Sequence, residues 1–360
     1  MFSASLRRLA VSVCLWQNQY KNLLHASYAI DMPIPALAAN ALFAPFRIEP
    51  HFDPRIWGFR DLRPWYDVVS GGEPIGEAWL TGDQCRIATG PHAGKTLGQI
   101  FQLAPAEMIG SSVHPGSPLL IKIIFAKEKL SVQVHPDDGM AQKYGEPRGK
   151  TECWYALAAE PGASVAAGLK PGVSMDDVRA GIQNGTLESS LSLLPVSQGD
   201  MIFVDAGTVH AIWPGAILLE TQQYSDTTYR MYDYGRPREL HIEKSLEATR
   251  LRTRSGKIPA QALSDRTVLI DMEYFRVERV AVEKSHMGAT LHREGELARG
   301  LSYLFAAAGS ARLTGEGFAP VEIPPHGIAA IPAASPEFTV EDMGGLDLIR
   351  IVPRWPENAA

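Results

Sequence analysis

Residues 119–138 read LLIKIIFAKEKLSVQVHPDD, and the fold turns on how this stretch is parsed. Leu119 to Ala126 is an apolar, β-rich run after Pro118, the pattern of a buried strand. Leu130 to Pro136 then alternates polar and apolar residues until Pro136 and Asp137 stop it. Alternate side chains of an extended strand share a face, so Gln133 and His135 project together, ~7 Å apart along the strand, while Val132 and Val134 turn into packing. Two donors at that spacing can converge on one metal ion. The plainer alternative is a polar face that merely meets solvent.

The same texture extends outward. Thr151 to Ala158 (TECWYALA), Met201 to Gly207 (MIFVDAG), Ala216 to Gln223 (AILLETQQ) and Tyr274 to Val282 (YFRVERVAV) are further expected strands. The segment SMDDVRAGIQNGTLESSLSLL has an N-cap signal at Ser174 with Asp177 three residues on. Val178, Ile182 and Leu187 follow at helical spacing. It predicts one or two short helices inserted near 173–195, and LHIEKSLEATR near 240–250 is another helix candidate. After about residue 260 a second β module is expected from SYLFAAAGSARLTGEG and VEIPPHGIAAIPA, without a cluster of metal-type ligands. The fold class is therefore mainly β, a sandwich or barrel with a small helical insertion.

Composition agrees. The chain has 360 residues, 45% hydrophobic and 21% charged, and its 26 prolines and 32 glycines favour short strands and tight turns over long helices. A net charge of −6 with no basic stripe argues against nucleic acid as a partner. Cys14, Cys85 and Cys153 are few and widely spaced, which indicates neither a disulfide framework nor a thiolate cage and suits a reducing cytoplasm. The opening MFSASLRRLAVSVCLW superficially resembles a targeting signal. It is short, lacks a small-residue cleavage site and is interrupted by Gln17 and Asn18. Residues 1–44 are expected to be an extension outside the fold, with Met32 an alternative start, and no membrane span is expected.

Two more segments carry chemistry. Gly199 to His210 (GDMIFVDAGTVH) has glycines suited to a turn with positive φ, after which His210 re-enters a barrel on the next strand. The alternative is an ordinary hairpin with a buried histidine. Glu152 opens a strand otherwise rich in aromatic and apolar residues, where an inward carboxylate is costly without a cation. A Zn2+ ion supplies one. Gln133, His135, Glu152 and His210 then form an N and O ligand set that suits a single catalytic zinc per chain, with room for substrate or water. Cys153, next in sequence to Glu152, is expected on the opposite face.

These motifs, with IWGFRDL, IGEAWL, GKTECWYAL, GDMIFVDAGTVHAI and LLETQQYSDTTYRMYDYGR, resemble the type I mannose-6-phosphate isomerases, particularly their short bacterial branch. The likeness spans residues 45–350 and is densest over 119–236. It implies cupin-type jelly-roll barrels (double-stranded β-helices): a catalytic domain over 45–260 and a cupin-like domain over 261–360 without a metal site. It implies zinc held by Gln133, His135, Glu152 and His210, and interconversion of mannose 6-phosphate and fructose 6-phosphate through a cis-enediol. Arg230, in SDTTYR, matches an active-site arginine able to stabilise an enediolate or grip phosphate. Lys150 matches a lysine of the catalytic pocket. Glu220 and Lys150 are the two candidates for proton transfer.

Lys122, a lone ammonium within LLIKIIFA, must find an anion, water or a strand end, and Ser131 shares the face of Gln133 and His135. Both are candidate substrate-binding residues, although a lysine can also simply snorkel to the surface. The chain departs from the family at Phe59 in place of a glycine, at Asp205 in place of a proline, and at Gly149 where the enteric branch has a histidine. That histidine cannot be a required base here. An iron-dependent cupin oxygenase and a non-catalytic sugar-binding cupin would share the barrel. Oligomeric state is not encoded in any of these patterns.

Overall fold

The computed structural model describes residues 42–110, 116–282, 289–290 and 300–354. The expected extension therefore lies outside the described residues except for 42–44. Strands dominate, and the described residues form four antiparallel sheets. One sheet has seven strands in the order Gly256–Lys257, Met201–Val204, Glu152–Ala159, Ala216–Gln223, Leu119–Phe125, Ile75–Trp79 and His51–Phe59. It faces a five-stranded sheet ordered Tyr229–Tyr232, Val132–Val134, His210–Ile212, Ser164–Leu169 and Leu191–Pro195.

The strand Leu119–Phe125 is buried at every position because both of its faces are covered. Ile124 points into the barrel with Trp154, Ile202, Val204, Ile212 and Leu218. Ile121, Ile123 and Phe125 point the other way, into a core shared with Phe275, Tyr303, Phe305, Ile349 and Ile351. Those residues belong to a second seven-stranded sheet, built mainly from Arg266–Asp271, Phe275–Val280, Ser302–Ala308, Ile328–Ile331 and Asp347–Pro353. Its first strand, Phe46–Ile48, comes from the start of the described chain and pairs antiparallel with Ile328–Ile331. A smaller sheet closes over its far side around Leu304, Leu313, Ile323, Val340 and Leu348.

The helical insertion forms as its sequence demands. Ser174 caps the helix Met175–Asn184 in a capping box with Asp177, and Gly185 ends it in the left-handed region at φ 69°. A 3-10 turn, Leu187–Ser190, follows before the chain returns as the edge strand Leu191–Pro195. Val178, Ile182 and Leu187 pack against the outside of the five-stranded sheet, as does Leu246 of the helix Ile242–Ala248. Three helices of five to seven residues, Leu97–Leu103, Pro105–Ile109 and Asp138–Lys143, are too short to leave a readable apolar period. No helix among the described residues is long and apolar enough to cross a membrane.

Ile121 sits between the two large sheets with no exposed surface. Its replacement by alanine should cost about 2–5 kcal/mol in denaturant unfolding; a loss below ~1 kcal/mol would mean that the two sheets do not share a tight core.

Candidate metal centre and active site

Strand register builds the site. Gln133 lies opposite His210 on one side and Arg230 on the other, so three adjacent strands of the smaller barrel sheet bring these residues into a row. Across the barrel, Glu152 opens its strand beside Val204 and Gln222. His135 follows the short strand Val132–Val134 directly, and its carbonyl accepts the N–H of Gly207. The GDMIFVDAGTVH segment turns after Val204: Gly207 has φ 85°, and a Cβ there would strike Arg250 at 2.8 Å. Asp205 uses an N–H that proline lacks to donate to Ser255 Oγ at 2.9 Å, while its carboxylate pairs with Arg254.

His135, Glu152 and His210 converge. All three are buried, and their candidate donor atoms lie within 4.8 Å of one another. His135 Nδ1 donates to the Thr227 carbonyl at 2.9 Å and His210 Nδ1 to the Thr208 carbonyl at 2.9 Å. A carbonyl can only accept, so each ring carries its proton on Nδ1 and turns the Nε2 lone pair inward. Each Nε2 stands 3.5 Å from an oxygen of Glu152. Burial, aided by Lys150 and His210, holds the His135 pKa well below the usual imidazole range, and burial lowers that of His210 to about 4. Both imidazoles are thus neutral at pH 7, the form that ligates metal.

Glu152 is sealed from water, and neither carboxylate oxygen has a well-aligned hydrogen-bond donor. Burial, followed by the charge of Glu220, lifts its pKa to about 7 against the pull of Lys150 and Lys122. Lys150 Nζ is 3.1 Å from Glu152 Oε2 and 3.0 Å from His135 Nε2. Gln133 turns its amide nitrogen to His210 Nε2 at 3.2 Å and accepts from Ser131 Oγ at 3.2 Å. A half-turn of that amide presents its oxygen instead. Two inward lone pairs, an orphaned buried carboxylate and an adjacent amide suit a divalent cation with mixed N and O ligands. Cys153 points to the opposite face, into the core between the two large sheets.

This cluster meets a cavity of about 480 Å³, lined among others by Arg55, Trp57, Lys122, Ser131, Glu220 and Arg230. The ammonium of Lys122 finds its anions across the strands: Glu220 at 2.8 Å, directly opposite in register, and Glu77 at 3.6 Å. Glu77 also accepts from Trp79 Nε1 and Arg55, and Glu220 accepts from Trp154 Nε1 at 2.9 Å. Burial alone would raise the Glu220 pKa, but Lys122 and Lys150 outweigh it and bring it down to about 2. Arg230 donates to the Glu239 carbonyl at 2.8 Å, and its Nε is buried without a partner. Arg55 and Arg238, by contrast, are already bound to carboxylates, Asp53 with Glu77 and Asp233 respectively. Sequence reasoning missed Arg55, Glu77, Asp226 and Arg238 on the cavity wall. The motif IGEAWL contained Glu77, but nothing in it marked that carboxylate as facing Lys122.

Glu152→Ala and His210→Ala should each reduce metal in the purified protein to background by elemental analysis; retention at the parent level would remove that residue as a ligand. The depressed Glu220 pKa stabilises the fold above its unfolded value of 4.5, and this contribution is lost as pH falls towards 2. Glu220→Gln should therefore lose less stability than the parent over that interval in acid unfolding. Equal losses would exclude Glu220 from the acid response.

Residues 46–165 match the family model for the catalytic domain of type I phosphomannose isomerase. A Streptococcus mutans mannose-6-phosphate isomerase is 35% identical over 255 residues, 67% of this chain and 80% of that protein. The Bacillus subtilis mannose-6-phosphate isomerase ManA is 34% identical over 65% of this chain and 78% of its own. A crystal structure of the mannose 6-phosphate isomerase from Bacillus subtilis superposes with a TM-score of 0.75 at 30% identity, covering 87% of this chain and all of that one. With four-fifths of a relative matched at this identity and the same fold, the chain belongs to the type I mannose-6-phosphate isomerase family.

Proposed function

We propose that the chain is a zinc-dependent aldose–ketose isomerase that interconverts D-mannose 6-phosphate and D-fructose 6-phosphate through a cis-enediol. The observation that carries this reading is the convergence of His135, Glu152 and His210 at a cavity that also presents Lys150 and Arg230. One Zn2+ would be held by Gln133, His135, Glu152 and His210. Bound there, it would supply Lewis-acid polarisation of substrate oxygen and charge stabilisation.

The reaction moves a proton between C1 and C2, and negative charge builds on the neighbouring oxygens. Arg230 is the cavity arginine without a carboxylate partner among the described residues, so its charge remains available for an enediolate or the phosphate. Lys150 reaches from the cavity towards both His135 and Glu152 and is one candidate proton carrier. Glu220 is the other. Its ion pair with Lys122 and its low pKa make it a weak base, better suited to fixing the ammonium of Lys122. Lys122 and Ser131, on the cavity wall, are the further substrate contacts of this reading. Catalysis is assigned to residues 45–260 and support to 261–360, in a chain that works in the cytoplasm on a small sugar phosphate.

A coupled assay on mannose 6-phosphate should give turnover that chelation abolishes and zinc restores. Turnover indifferent to chelator in a metal-free protein would overturn the mechanism. Arg230→Ala should keep its metal and lose about 10²–10³-fold in kcat; unchanged kcat would remove Arg230 from the chemistry.

A further inference from the structure

Lys150 and Glu152 leave the chain within one four-residue segment, 149–152, and each N–H of its first three residues is held from outside. Gly149 N donates to Asp138 Oδ1 at 2.7 Å, Lys150 N to the Pro136 carbonyl at 3.0 Å, and Thr151 N to Gln223 Oε1 at 2.9 Å. Gln223 in turn donates its Nε2 to the same Asp138 Oδ1 at 2.9 Å. The second oxygen of Asp138 accepts from Tyr274 Oη at 2.7 Å. Tyr274 lies in the turn before Phe275–Val280, on the other large sheet. The segment also rides hard against the start of the helix Asp138–Lys143: a Cβ on Gly149 would come within 2.5 Å of the Asp137 carbonyl carbon.

We infer that Asp138 is a positioning residue for this active site, orienting Lys150 and Glu152 through Gly149 and Gln223 and itself fixed by Tyr274 from the second module. Asp138 does not line the cavity and touches neither the metal-type donors nor the space for substrate. Its carboxylate gathers three donors from three parts of the chain, and two of those donors set the backbone from which Lys150 and Glu152 project. A carboxylate accepting several N–H and O–H bonds is a stiff, directional anchor. Loss of its oxygens frees the Gly149 and Gln223 donors together, so both the candidate proton carrier and a candidate ligand can shift. Groups behind a metal site typically matter at this level.

The inference rests on the isomerase reading for its kinetic test, so a second readout is independent of turnover. Asp138→Ala, Asp138→Asn and Tyr274→Phe are compared with the parent for thermal midpoint, zinc affinity by competition with a chromophoric chelator, and kcat and KM at saturating zinc. Asp138→Ala should lose about 10–100-fold in zinc affinity and in kcat, with KM changed much less. Asp138→Asn keeps an oxygen able to accept from Gly149 and Gln223 and should recover most of both. Tyr274→Phe deletes one hydroxyl and should lose about 3–10-fold in kcat at a near-parental midpoint. If Asp138→Ala does not fold, Tyr274→Phe decides. Zinc affinity and kcat both within about twofold of the parent, in either Tyr274→Phe or a folded Asp138→Ala, overturn the inference. A parent without isomerase turnover would instead defeat the proposed function, and zinc affinity would still judge the role of Asp138.

Discussion

A carboxylate sealed from water is among the more expensive things a protein can bury, and this barrel is arranged around one. Glu152 has no exposed surface and no aligned hydrogen bond. The effective penalty for such an ion is several kcal/mol unless a cation or a proton answers it. Two imidazoles aim their Nε2 lone pairs at the same point and add to its negative potential. The arrangement makes sense as a socket for positive charge, and Lys150 supplies part of that charge from one side. The rest of the local design follows: carbonyls of Thr208 and Thr227 fix the ring tautomers, and the antiparallel register sets His210 opposite Gln133.

The cavity wall obeys the same electrostatic logic with the signs alternating. Arg55, Glu77, Lys122 and Glu220 form a chain of ion pairs across neighbouring strands, with two indole N–H groups completing the carboxylates. Lys122 stands between two carboxylates and Glu77 between two cations, so loss of Lys122 in particular would strand Glu220 in a poorly hydrated place. The two positive and two negative charges along this wall cancel. Against it, Arg230 is the exception among the described residues, its side chain bonded to a carbonyl and to no carboxylate.

The converging cluster was legible in part because strand alternation translates spacing into facing: Gln133 and His135 two apart, and Cys153 opposite Glu152. The capping box at Ser174 was equally local. What resisted reading depends on which strands become neighbours. Lys122 announced a need for an anion, but Glu220 becomes that anion only when their strands pair, and Glu77 only when a third strand joins. Asp138 looked like the tail of a motif; its hydrogen bonds to Gln223 and Tyr274 cross long stretches of chain. The short helix Leu97–Leu103 did carry a signal, Thr96 and Gln99 in a capping box, though one turn or two leaves no apolar period to support it.

The strand Phe46–Ile48 makes its ladder with Ile328–Ile331, far along the chain, and nearer in sequence it meets only a single bridge, Ile48 to Ile87, among the described residues. As a ribosome extends the polypeptide, every strand of the two barrel sheets is made while this strand still lacks its ladder partner. Closure of the two-sheet core must wait for the final strands, the long-range pairing that slows β proteins and leaves apolar edges open meanwhile. A fragment ending near residue 260 would keep every proposed ligand and yet expose the outer face of Leu119–Phe125 to water, so its fate would be precipitation rather than catalysis.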